Sequence, residues 1–145
     1  MTGTSPATMV CLLGGIMDRN LLILIARISL SAVYLYSGVD KFVCWNDGLK
    51  FCIEHKMPRP NVVLAITAII HVVCGLMVLL GFFAREGAVI LLLFTAVATY
   101  WVHNPIGRTG EDFRRETTIS LEHLAIIGGL LLIAVTGPGT LALRP

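Results

Sequence analysis

The chain has 145 residues, 56% of them hydrophobic and only 14% charged, where an ordinary soluble domain carries roughly 25% charged residues. A soluble domain of this size leaves about a third of its unfolded surface in water and needs charge to cover it, so a soluble globular fold is excluded, and the apolar content excludes intrinsic disorder. A net charge of +2 without a basic tract excludes a nucleic-acid footprint, and a mean hydropathy of +0.83 leaves a small integral membrane protein.

Residues 1–20 contain an apolar patch from Met9 to Met17 but neither a basic n-region nor a small-residue cleavage site. They read as a loosely ordered N-terminal segment rather than a secretory signal. Four apolar runs follow, at about 21–41, 62–83, 87–103 and 119–135. Each is about 17–23 residues, long enough to cross a hydrocarbon core of roughly 30 Å at 1.5 Å per residue. Backbone groups in lipid must bond within their own segment, so these runs are predicted to be helices. Period-two alternation is missing, which argues against a membrane barrel.

The first connection, 42–61, carries Trp45, Asp47, Lys50, Glu54, Lys56, Pro58 and Pro60, and the third, 104–118, carries Arg108, Glu111, Asp112, Arg114, Arg115 and Glu116. A tight turn, Gly81 to Gly87, joins the second and third runs into an antiparallel hairpin. The expected fold is all-α: one four-transmembrane-helix bundle over 21–143 with both termini on the same side. Lys41, Lys50, Lys56, Arg59, Arg108, Arg114 and Arg115 lie on the long-loop face, against Arg19, Arg85 and Arg144 on the other. That bias predicts cytoplasmic long loops in a multi-pass protein of the cell inner membrane.

Polar residues within a membrane are costly and tend to face the bundle interior. Arg27, Ser31, Tyr34, Gly38 and Lys41 fall on one face of the first helix, and His71 shares a face of the second with Thr67 and Cys74. By the 1.5 Å rise, Arg27 lies about 10 Å in from the terminal face and His71 near the midplane. Tyr36, His103 and His123 lie roughly 5–8 Å below the long-loop face, with Asp40 just above them. Such a level suits a proton-handling or quinone-headgroup site, because imidazole and phenol donate to carbonyl oxygens. It equally suits interfacial anchoring.

Arg27 reads either as a clamp for a substrate's polar group or as a structural arginine bonded to backbone carbonyls. Glu122, its obvious charge partner, lies about 15 Å away in depth, too far to pair. The candidate set for a quinone or small polar substrate is therefore Arg27, Tyr34, His71, His103, Glu122 and His123. No HxxxH, HxxH or CxxC spacing is present, so no metal and no intrinsic cofactor is expected, a quinone apart; His103, His123 and Asp40 are the alternative metal set. Of Cys11, Cys44, Cys52 and Cys74, Cys44 and Cys52 bracket part of the first long connection, either as a redox pair or as reduced cytoplasmic thiols.

Ser37-Gly38-Val39-Asp40-Lys41-Phe42 resembles the SGxxK signature of the DoxX/DoxD-like membrane proteins. Met57-Pro58-Arg59-Pro60, Leu79 to Arg85, Leu124 to Leu131 and Thr136-Gly137-Pro138-Gly139 fit the same pattern, in order, over about 21–143. The resemblance implies a four-helix membrane protein. It also implies an association with thiosulfate:quinone or terminal quinol oxidoreductases, or with oxidative-stress complexes, though many members have no known activity. The expectation is a subunit or partner of a quinone-linked membrane oxidoreductase, with Arg27, His71, His103 and His123 lining its site. The alternative is a non-catalytic membrane scaffold or assembly factor. Partners implied are the lipid bilayer, a membrane redox protein and further copies of the chain. Catalysis itself is left open, and a transporter is disfavoured because no inverted repeat is present.

Overall fold

A computed structural model describes residues 19–143. Its helices are α1 Arg19–Val43, α2 Trp45–Glu54, α3 Pro60–Leu80, α4 Ala84–Trp101 and α5 Gly110–Thr136. Of these, α1, α3, α4 and α5 are long and apolar enough to cross a membrane. Pro60 opens α3 at its first turn, where a missing N–H costs nothing. Gly81, at φ 79°, closes α3 by donating its N–H to the Met77 carbonyl, and Gly137, at φ 83°, closes α5 the same way on Ile133. Thr140 N–H donates to Asn20 Oδ1 at 3.0 Å and Leu143 N–H to the Leu80 carbonyl at 3.0 Å. Both ends of the described chain therefore sit beside the α3–α4 turn. The segment read as loosely ordered lies, up to residue 18, outside the described residues.

Two differences from the expected boundaries matter for the site. The fourth membrane helix begins at Gly110, nine residues before the apolar run at 119. Glu111 and Asp112 occupy its first turn, where acidic side chains meet the positive end of the helix dipole. Charge that reads as loop is thus the solvated head of a helix. Residues 42–61 are likewise not all loop: α2 is too short and too polar on one face to span, and it packs on α3 and α1.

Around the bundle α1 adjoins α3, α3 adjoins α4 and α4 adjoins α5, while α5 touches α1 over a short stretch. Leu30 lies against Gly129 there, 3.2 Å from where a Cβ would stand. Small residues let backbones approach. A Cβ on Gly87 would stand 3.0 Å from Met77 Cβ and 3.2 Å from the Cys74 carbonyl oxygen, so α3 and α4 are drawn together near their turn. The close-packed core of Cys74, Val78, Ala88, Leu91, Leu130 and Ile133 fills that half of the bundle. The opposite half, under α2, is hollow.

Candidate functional site

The hollow is a cavity of about 640 Å³, within the usual size range of small-molecule sites. Val33, Leu64, Phe94, Val97, Trp101 and Ile126 make most of its wall apolar, and Gly48 and Phe51 bring α2 over it. Val33, Val97 and Trp101 are also exposed on the outer surface of the bundle. The lining therefore reaches the lipid-facing side of α1 and α4.

Polar groups enter this wall at a few built positions. The Thr95 hydroxyl donates to the Leu91 carbonyl at 2.7 Å, so the buried Tyr34 hydroxyl is the donor in its bond to Thr95 Oγ1. One turn on, the Thr99 hydroxyl donates to the Thr95 carbonyl at 2.7 Å and accepts from His123 Nδ1 at 2.7 Å. That fixes the His123 proton on Nδ1 and leaves Nε2 as an acceptor. His103 Nδ1–H donates to Glu116 Oε2 at 3.0 Å. Glu116 is 4% exposed, and its Oε1 accepts from Arg108 at 3.3 Å and Arg115 at 3.2 Å. Ser120 Oγ donates to the His103 carbonyl at 2.6 Å, so both side chain and backbone of His103 are held by α5. The two imidazoles meet edge to face with centroids 5.2 Å apart.

His71 stands deeper, its ring edge-on to Tyr34 at 5.3 Å and to Phe94 at 4.9 Å. Both of its ring nitrogens are buried without a hydrogen-bond partner. Lys41 Nζ reaches back to Ser37, at 2.7 Å from Oγ and 3.2 Å from the carbonyl.

Four of the six candidates thus converge: Tyr34, His71, His103 and His123 all line the cavity. The other two do not. Arg27, 1% exposed, is turned away toward the termini, where it donates to the carbonyls of Val78 (2.9 Å), Leu79, Pro138 (2.9 Å) and Leu141 (3.0 Å). It follows the structural reading of a buried arginine, capping the end of α3 and tying the C-terminal segment to it. Glu122 points outward from α5 and is absent from the lining. Tyr36 is 77% exposed, and Tyr34, one helical face away, takes the place expected for it. Asp40 lines the cavity with His103 and His123, yet among the described residues no three His, Cys, Asp or Glu side chains are placed to hold a metal ion.

Sequence reading passed over Glu116, which looked like one loop charge among six. Its signal was the i, i+4, i+7 spacing of Glu116, Ser120 and His123 on one helical face, visible once the helix is extended to Gly110. Lys41 was placed on the inward stripe but not chosen for the site.

Cys44 and Cys52 both line the cavity, but α2 separates them by eight residues, about 12 Å of helix. A disulfide needs Cα atoms within about 7 Å, so they do not form a pair. The negative charge of Asp40 and some burial push the Cys44 thiol up from its ordinary value; burial pushes Cys52 up, partly offset by Lys41. Raised values leave little thiolate at neutral pH, and the thiolate fraction grows as pH increases. Iodoacetamide labelling followed by peptide mass spectrometry is expected to be slow at pH 7 and faster at pH 9, with exposed Cys44 modified before buried Cys52. Diamide treatment should yield no Cys44–Cys52 crosslink.

The DoxX family model matches residues 22–104. The chain is 27% identical to the inner membrane protein YphA of Escherichia coli (strain K12) over 125 residues, covering 86% of this chain and 89% of that protein. It is 26% identical to the inner membrane protein YqjF of the same organism over 117 residues, covering 81% and 85%. No solved structure matches the chain. With four helices of spanning length and two relatives of this kind, it is a multi-pass protein of the inner membrane. From the extent of the family match and the four-helix architecture together, the chain belongs to the DoxX family.

Proposed function

We propose that the cavity under α2 binds the headgroup of a lipid-soluble quinone, and that the protein is a subunit or partner of a quinone-linked membrane oxidoreductase. The observation that carries this reading is the cavity's construction. An apolar, aromatic chamber reaches the lipid-facing surface at Val33, Val97 and Trp101, and two imidazoles stand side by side within it. Ligand pockets characteristically combine such walls with a few placed polar groups. A quinone offers a carbonyl oxygen to the N–H of His71, whose ring nitrogens have no partner among the described residues, and its reduced quinol form offers a hydroxyl to the free Nε2 of His123, on a flat ring that packs against Phe94 and Trp101. The bilayer is both the solvent of such a ligand and its route of entry.

The test is a titration of the purified full-length protein in detergent with decyl-ubiquinone, followed by the fluorescence of Trp101 and Trp45. Saturable quenching is expected, and the reduced form, decyl-ubiquinol, should bind about tenfold more weakly to His123→Phe, the loss of one hydrogen bond from its hydroxyl to Nε2. Quenching that never saturates and is the same in the variant would overturn the reading. Crosslinked capture of a membrane protein through the 42–61 and 104–118 segments, with no quinone binding, would favour the scaffold function instead.

A further inference from the structure

We infer that the ligand of this cavity carries an anionic oxygen on its aromatic body, received by Lys41 and His71. The inference rests on the cavity being a ligand site, as proposed above, and specifies the chemistry of what it takes. Lys41 lies on the cavity wall at the end of α1, and among the described residues its ammonium is hydrogen-bonded to Ser37 alone. An ammonium has three donors, and two oxygens of one serine leave capacity for another acceptor. Among the described residues no carboxylate is in ion-pair contact with it. Asp47 is paired with Lys50 at 3.1 Å, and Asp40, which also lines the cavity, acts on the ammonium through space without an ion-pair contact. A cation at the hydrocarbon boundary with no counter-ion in contact is costly, and a charge on the ligand would supply that contact.

His71 supplies the second half. It is 7% exposed, lines the same cavity, and has two unpartnered nitrogens. A buried polar group left unpaired costs about 1–3 kcal/mol, so a ligand oxygen that reached it would recover that cost. Gly38 holds the two groups near each other. A Cβ there would stand 3.1 Å from His71 Cβ and 2.7 Å from Val72 Cγ2, so α1 is drawn against α3 at His71. Lys41 follows Gly38 by three residues, about 4.5 Å along the axis. Phe94 packs on the His71 ring at 4.9 Å and lines the cavity beside it, offering an aromatic face to the body of the same ligand.

Two naphthoquinones of the same ring separate charge from shape: 2-hydroxy-3-methyl-1,4-naphthoquinone, ionised at neutral pH, and neutral 2,3-dimethyl-1,4-naphthoquinone. Both have substituted ring carbons, which blocks addition of the cavity thiols. The native protein is expected to bind the ionised compound about tenfold or more tightly than the neutral one, the scale of one charge-assisted hydrogen bond. Lys41→Met should abolish that preference, lowering the ionised compound's affinity far more than the neutral compound's. Lys41→Arg should keep it, and His71→Phe should reduce it in part. The thermal unfolding midpoint of each variant serves as the check on folding. Equal affinity of the native protein for the two compounds, or a preference that survives in Lys41→Met, would overturn the anionic-oxygen assignment while the quinone reading stands. Failure of both compounds and of decyl-ubiquinone to bind saturably would overturn both.

Discussion

Arg27→Met is expected to lower the thermal unfolding midpoint more than any other single substitution in the bundle, as followed by circular dichroism in mild detergent. Arg27 is almost wholly buried and gives its guanidinium to four backbone carbonyls, two at the end of α3 and two in the C-terminal segment. The last carbonyls of a helix have no partner within the helix and must find one elsewhere. Methionine fills similar space but donates nothing, so four acceptors lose their partner together. At about 1–3 kcal/mol for each buried orphan, and with some relaxation, the loss is on the order of 4 kcal/mol.

Arg27→Lys should recover only part of this, since a single ammonium cannot reproduce the planar fork that reaches both segments. The C-terminal segment should also loosen in Arg27→Met, because Leu143 N–H to Leu80 is its other fastening to α3. Faster cleavage after residue 137 by a non-specific protease would report that directly. An unfolding midpoint unchanged within a degree would refute the capping role.

Glu116→Leu carries the second large effect, and here stability and binding are expected to fall together. The carboxylate gathers Arg108, Arg115 and the Nδ1–H of His103. Removing it strands His103's donor and takes a carboxylate from two guanidiniums, leaving Arg115 with Asp112 at 3.7 Å and Arg108 with the carbonyls of Asn104 and Val102. The arginine side chains are 33% and 63% exposed, so water screens much of their loss. Breaking the buried side of the network should cost about 2 kcal/mol.

Decyl-ubiquinol affinity should drop about tenfold as His103, whose Nε2 is free to accept from a ligand hydroxyl, loses the contact that orients it, much as metal-bound histidines depend on their carboxylate partners. Glu116→Gln separates the two effects. Its amide retains one oxygen acceptor and the side-chain volume, so the unfolding midpoint should change less than in Glu116→Leu while quinol binding still weakens. Equal losses in the two variants would show that Glu116 holds the fold and has no part in orienting His103.

The particular residues show where sequence reading reached and where it stopped. Burying Ile, Leu and Val in hydrocarbon is a local and nearly additive property of a run, so the membrane class, the four spanning helices and the hairpin from Gly81 to Gly87 were all legible. The helical period placed Tyr34, Lys41 and His71 on inward stripes for the same reason. Hydropathy is blind to helix outside the membrane, so α2 and the first turns of α5 read as loop, and Glu116 was lost with them.

For Arg27 the sequence offered the right alternative, a structural arginine on backbone carbonyls, but could not choose it over a ligand clamp. The arginine's acceptors at Pro138 and Leu141 are 111 and 114 residues away and belong to the backbone, which every residue carries and no residue type reveals. Glu122 is the converse, an acidic residue on a spanning helix whose rotation about the axis turned it outward.

By itself, then, the sequence determined the solvent of this protein, the number of its spans and the stripes from which a site could be drawn. Only the tertiary structure decided that the helices close near the α3–α4 turn and part beneath α2, which sends Arg27 to one end and Lys41, His71, His103 and His123 to a common cavity at the other. The physical reason is that periodicity sets the direction of a side chain relative to its own helix, whereas a cavity depends on how four helices lean on one another. That lean is set by contacts such as Gly87 on Met77 and Gly38 on Val72.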